Sequence, residues 1–91
     1  MQHCDEKTLH LTKELGTFLS GLREQKTGLS LTKFAYSYDI NSGNLSKIEN
    51  GLINCKFITL WRISEALGMK PSDLIRAFEE HLGEDFKLID E

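Results

Sequence analysis

"GLSLTKFAYSYDINSGNLSKIENG", Gly28 to Gly51, is the stretch whose reading decides the fold. Ser30 stands where a side-chain oxygen can cap a helix. Phe34 and Ala35 follow as the inward residues of a short helix ending near Tyr38. Asp39 then falls where the chain must turn, and Asp tolerates the left-handed backbone better than most non-glycine residues. A further helix opens almost at once: Asn41 caps it, Leu45 and Ile48 give it an apolar ridge, and Gly51 stops it. Between cap and ridge stand Ser42, Gly43 and Asn44, all poor formers of a helix interior. One cap is enough for a helix, so the surplus of small polar residues predicts a surface that comes close to something. The two helices and their turn occupy about residues 30–50.

The flanks are helical too. Upstream, Leu11, Leu15, Phe18, Leu19 and Leu22 recur at helical spacing and predict a first helix over about Lys7 to Lys26. Downstream, a fourth helix runs from about Phe57 to Leu67 with Leu60, Ile63 and Leu67 inward, ended by Gly68. A fifth starts at Pro71, which suits a first helical position, with Asp73 near its positive end. It carries Leu74, Ile75 and Phe78 and stops at Gly83. No segment alternates apolar and polar long enough to compete as a strand. Helices this short cannot each bury a stripe alone. The expectation is one compact all-α, five-helix domain over residues 1–83, with an acidic tail over 84–91.

Composition sets limits. With 91 residues, 40% hydrophobic and 27% charged, the chain reads as one globular domain and not as a disordered one. No apolar run nears the roughly 20 residues that cross a bilayer, and the N-terminus has no signal-peptide core. A cytoplasmic location, with no membrane partner, is expected. Cys4 and Cys55 form no CxxC pair and are expected as reduced thiols. His3, Cys4 and His10 match no zinc spacing, so no metal or other cofactor is expected. The net charge of −3 is uneven. Residues 1–27 carry four acids and four bases, residues 28–68 three acids and four bases, and residues 69–91 seven acids and three bases. Nucleic-acid binders usually show a basic footprint; here only the middle is faintly basic.

The residues of the opening stretch strongly resemble the lambda-repressor-like (Xre) helix-turn-helix family. Gly28-Leu29-Ser30, Phe34-Ala35, Ile40, Leu45-Ser46 and Ile48-Glu49 with Gly51 stand in register with that family's pattern. "LREQKTGLS" upstream and "TLWRISEALGMKPSDLI" downstream match its first, fourth and fifth helices, so the resemblance covers roughly residues 15–75. It implies a DNA-binding transcriptional regulator whose second motif helix enters the major groove by its N-terminal residues. By position, Asn41, Ser42, Gly43 and Asn44, with Lys47 one turn on, would face base edges and phosphates. Asn can pair with adenine, Ser with several bases, and Lys with phosphate or guanine. Lys33, Lys56 and the hydroxyl of Tyr36 are further candidate phosphate contacts. Arg23 and Glu49 occupy positions that often form a structural ion pair in the family. Phage-type repressors, restriction-modification controllers and antitoxins are all found among its small members.

The sequence departs from the family pattern at several places. Leu31 replaces a usual Gln, and Leu52-Ile53 replaces an often basic pair. Cys55 and Lys56 stand where Pro and a capping Ser are frequent, so the fourth helix is expected to start without a side-chain cap. Asp39 replaces Gly and adds a negative charge near the DNA face. Loss of phosphate contacts predicts weak non-specific binding, or reliance on a homodimer at an approximately palindromic site. Trp61, Phe78, Leu82, Phe86, Leu88 and Ile89 are the apolar residues left for such an interface. Alternatively, Phe86, Leu88 and Ile89 fold back over their own domain.

An enzyme is not expected. No nucleophile-and-base motif, glycine-rich phosphate loop or metal-ligand run occurs, and Glu79-Glu80-His81 reads as a solvated helix face. No second domain is present to sense a ligand, so no small-molecule effector is expected. The rival reading is a protein-interaction adaptor or antitoxin-like module that keeps the helix-turn-helix fold, favoured by the acidic balance and the missing basic pair.

Overall fold

A computed structural model describes residues 6–89. Five helices follow in chain order: α1 Glu6–Thr27, α2 Leu31–Ser37, α3 Ser42–Glu49, α4 Phe57–Ala66 and α5 Pro71–Leu82. Each boundary lies within a residue or so of the sequence expectation, because the terminating residues act locally. Ser30 Oγ accepts from the Lys33 amide at 3.2 Å, and Asn41 Oδ1 accepts from the Asn44 amide at 2.9 Å. Both are N-caps that satisfy otherwise orphan donors. Lys56 caps α4 without a side-chain bond, as the loss of Ser there predicts. At the far end of α3, the Leu52 amide reaches the Lys47 carbonyl at 2.8 Å and the Gly51 amide reaches Ile48 at 3.0 Å. This paired closure needs a left-handed residue, and Gly51 supplies it at φ 72°.

The core is shared by all five helices. Leu19 of α1, Phe34 and Ala35 of α2, Leu45 and Ile48 of α3, Ile63 of α4 and Leu74 of α5 are buried together with Ile40 and Leu67. Leu15, Leu22 and Leu60 pack against this cluster but remain half-buried. Ile75 does not join it: 45% of its surface is exposed, because the core side of α5 is taken by Leu74 and Phe78. Phe78 departs from expectation. Placed by sequence among the residues left for a second copy, it is only 8% exposed and lies 5.3 Å from the Phe18 ring, filling the seam between α1 and α5. His81 extends that seam, with its ring 5.2 Å from Phe18 and Nε2 2.9 Å from a Glu14 carboxylate oxygen. Beyond Gly83 the chain turns back, bringing the Phe86 ring to 5.9 Å from His10.

Among the described residues, no helix is long and apolar enough to cross a membrane and no group of three or more His, Cys, Asp or Glu is placed to hold a metal. His3, Cys4, Asp90 and Glu91 lie outside the described residues.

Candidate nucleic-acid interface

The site is built around α3, and its rigidity starts from α1. Arg23, only 8% exposed, sends Nε to Glu49 Oε2 and Nη2 to Glu49 Oε1, both at 2.9 Å. Its Nη1 donates to the Leu29 carbonyl at 2.7 Å, which fixes the link between α1 and α2. One guanidinium therefore ties the last residue of α3 to two other segments. The fork geometry suits a carboxylate, and hydrogen bonding to charged partners is the strong kind. Glu49's hydrogen bond pushes the Arg23 guanidinium above its ordinary value, against the opposing effect of burial.

A second contact brings the same two helices together. A Cβ placed on Gly16 would overlap the Ile48 carbonyl oxygen and lie 2.7 Å from the Glu49 oxygen. On Gly51 it would meet the Lys13 Cα at 2.9 Å. Glycine at both points lets α1 cross the end of α3 backbone against backbone. Gly16 has no motif around it in the sequence that signals this contact.

The opposite end of α3 is held by the turn. Asp39 adopts the left-handed conformation at φ 57°, and the Ile40 amide donates to the Ala35 carbonyl at 2.8 Å. Arg62 of α4 reaches across to Asp39, its Nη1 3.1 Å from the carbonyl oxygen and 3.3 Å from Oδ2. This contact, between residues 23 apart, was also missed; nothing local in the sequence signals it.

With Leu45 and Ile48 turned into the core, α3 presents Asn41, Ser42, Gly43, Asn44 and Lys47 outward, and all five are exposed. Asn41 has its Oδ1 engaged as the cap, leaving its amide nitrogen for an outside acceptor. Lys33 and Lys56 are exposed, and Tyr36 is 89% exposed on α2. Tyr38 packs its ring 5.2 Å from Phe34 while keeping much of its surface in solvent. Leu31 is half-buried against the core, where a Gln would leave a polar group to satisfy. Leu52 and Ile53 are both exposed apolar residues after α3.

A small polar helix start, exposed and fixed at both ends, is what major-groove reading requires. Residues 21–80 match the family model for the Cro/C1-type HTH DNA-binding domain. The chain belongs to this family. It is 38% identical over 65 residues to control protein C.MunI of a Mycoplasma species, an alignment covering 71% of this chain and 88% of the relative. It is 35% identical over 54 residues to control protein C.BamHI of Bacillus amyloliquefaciens, covering 59% and 67% respectively. Among solved structures it is similar to the clp gene regulator ClgR from C. glutamicum, with a TM-score of 0.64, 28% identity and coverage of 75% of this chain and 86% of that one. The Cro/C1-type match takes in α2, α3 and α4 entire, and with them Arg23, Arg62 and the exposed start of α3, while Gly16 and Lys13 lie ahead of it.

The residues expected at a dimer interface fall into separate places. Trp61 lies edge-on to Phe57 at 5.7 Å, with its indole N–H 3.1 Å from a Glu65 carboxylate oxygen. Leu82 and Phe86 line an open cleft of about 740 Å³ together with Leu11, Ile75 and the edge of Phe78. Leu88 and Ile89 are exposed.

Proposed function

We propose that this protein is a sequence-specific DNA-binding transcriptional regulator that acts as a homodimer on an approximately palindromic operator. The observation that carries the reading is α3 itself: a buried Leu45–Ile48 ridge behind an exposed Asn41–Asn44 start, held by Arg23 at one end and by the Asp39–Ile40 turn at the other. Asn44 and Ser42 read base edges, Gly43 lets the backbone approach, and Lys47 meets a phosphate or a guanine. Lys33, Lys56 and Tyr36 contact the sugar-phosphate backbone, which fixes register without carrying sequence. Two protomers present two reading helices to successive major grooves about 34–36 Å apart. The similarity to two control proteins and a gene regulator supports regulation as the outcome of binding.

A second reading, an adaptor that binds mainly a protein partner, is favoured by the acidic C-terminal quarter and by the partly apolar cleft beside α5. Selection from random duplexes at low salt separates the two. Enrichment of one palindromic sequence supports the regulator, whereas recovery of no sequence above background removes specific DNA reading and leaves the adaptor.

A further inference from the structure

Asp39 places a carboxylate two residues ahead of the α3 cap, where approaching phosphates repel it. Its partner is Arg62, and both Arg62 contacts run through Nη1; Nε and Nη2 make no hydrogen bond among the described residues. The Asp39 side chain is 99% exposed and that of Arg62 47%, so the pair sits in water and is weakly held. Arg62 also shares an open cleft of about 220 Å³ with Asn41, Asn44, Ile58 and Thr59, at the very start of the reading helix.

We propose that Arg62 is a DNA-contacting residue that Asp39 holds in competition. When duplex DNA docks, the guanidinium exchanges the Asp39 carboxylate for a backbone phosphate beside the start of α3. The inference rests on the DNA-binding reading of α3. A phosphate offers a guanidinium two anionic oxygens, as a carboxylate does, and carries the counterion release of a polyanion with it. The exchange supplies a basic contact to an interface that has Leu52 and Ile53 where basic residues are usual. Because Asp39 competes for the same donors on every sequence, it lowers affinity for DNA in general and leaves discrimination to the base contacts of Ser42 and Asn44.

The test uses the full chain and a random-sequence duplex, with binding followed by fluorescence anisotropy across a potassium chloride series. Arg62→Gln is expected to weaken binding and to flatten the log–log salt slope by about 0.9, the value of one phosphate contact. Arg62→Lys keeps the charge and is expected to restore the slope. Asp39→Asn, which retains tolerance of the left-handed backbone, is expected to tighten binding about two- to fivefold, the factor an exposed ion pair contributes. That gain is expected to shrink in the Asp39→Asn, Arg62→Gln double variant to the part due to direct repulsion between Asp39 and phosphate. An unchanged slope in Arg62→Gln overturns the proposal, as does a gain from Asp39→Asn that is equal with and without Arg62. A wild-type chain that binds no duplex overturns the DNA reading along with it; a wild type that binds while the Arg62 variants match it overturns only the role of Arg62.

Discussion

Arg23 and Glu49 form a two-pronged ion pair, 2.9 Å at each prong, between α1 and the last residue of α3. Both side chains are over nine-tenths buried, so neither can fall back on water if the other is lost. Removing one partner of such a pair costs about 3–5 kcal/mol, much of it from the charge left behind. Glu49→Ala is therefore expected to lower unfolding free energy by that amount in urea titration, a large part of a small domain's total. Arg23→Met with Glu49→Leu is expected to recover most of the loss. Equal losses in the single and double variants would show that shape, and not charge, is what the pair provides. On the arginine side the folded-state value is raised, so its contribution is complete at any pH below the ordinary arginine value and is lost only as pH climbs through the higher one.

Gly16 and Gly21 stand five residues apart in α1, and the same substitution is expected to act oppositely at the two. At Gly21 a methyl group meets nothing within 4 Å. Gly21→Ala is expected to stabilise by about 0.5–1 kcal/mol through helix propensity alone. At Gly16 the atoms in the way are backbone carbonyls of α3, which cannot swing aside as a side-chain tip can. Gly16→Ala is expected to cost about 1–3 kcal/mol despite the better propensity. At this chain size each kcal/mol moves the melting temperature by about 4–8 °C, so thermal scans of the two variants settle the contrast.

The helices were legible in the sequence because their signals are local. Caps at Ser30 and Asn41, stops at Gly51 and Gly68, and 3.6-residue apolar spacing each act over one or two turns. The Arg23–Glu49 pair came from the family resemblance, not from spacing. Gly16 and Arg62 were invisible for a common reason: each matters through a backbone carbonyl distant in sequence, that of Ile48 on α3 for one and that of Asp39 in the turn for the other. Phe78 shows the same limit from the other side. A periodic apolar residue on a terminal helix looks the same whether it faces its own Phe18 or a second copy, and only the packing of α5 on α1 decides.

At the reading surface, Asn44→Ala is expected to cost roughly 1–3 kcal/mol on the selected operator and to relax preference at one base pair, with little change on random DNA. Lys47→Ala is expected to weaken both kinds of binding and to flatten the salt dependence if it meets a phosphate. Competition titrations against both duplexes measure the two effects together. Equal losses on operator and random DNA for Asn44→Ala would take it out of the base-reading set.

Cys55 is half-buried beside the core, and burial pushes its thiol up from the ordinary 9.0 to about 11. The thiolate is the reactive form, so at pH 8 the folded protein holds far less of it than the unfolded chain does. The greater intrinsic reactivity of a high-pKa thiolate offsets part of this, leaving an expected rate of alkylation about tenfold slower in the folded state. A Cys4→Ser background isolates the signal. The raised value also means that the folded form gains from Cys55 below pH 9 and loses that gain as pH rises towards 11. Alkylation at pH 8 that is as fast folded as in urea would show the thiol to be open to solvent.

Self-association is expected to use the cleft beside α5. Ile75, an apolar residue of α5, is exposed and lines that cleft with Leu82 and Phe86. Leu11 and Phe78 line it with them, and Arg76, Glu79, Glu80 and Glu84 add charge to the same cleft. A two-fold interface places the same patch on both sides, so one charge introduced there is met by its own copy. Ile75→Glu is therefore expected to convert a dimer to a monomer without lowering the melting temperature of the domain, since Ile75 contributes little to the buried cluster. Truncation after Leu82 removes Phe86 and is expected to weaken the dimer as well. Sedimentation velocity over a range of micromolar concentrations reads both. If the dimer is what brings two α3 helices to one operator, Ile75→Glu also loses the advantage of a palindrome over a single half-site. A full chain that sediments as a monomer and binds half-site and palindrome alike would refute the dimer and leave the cleft to another partner.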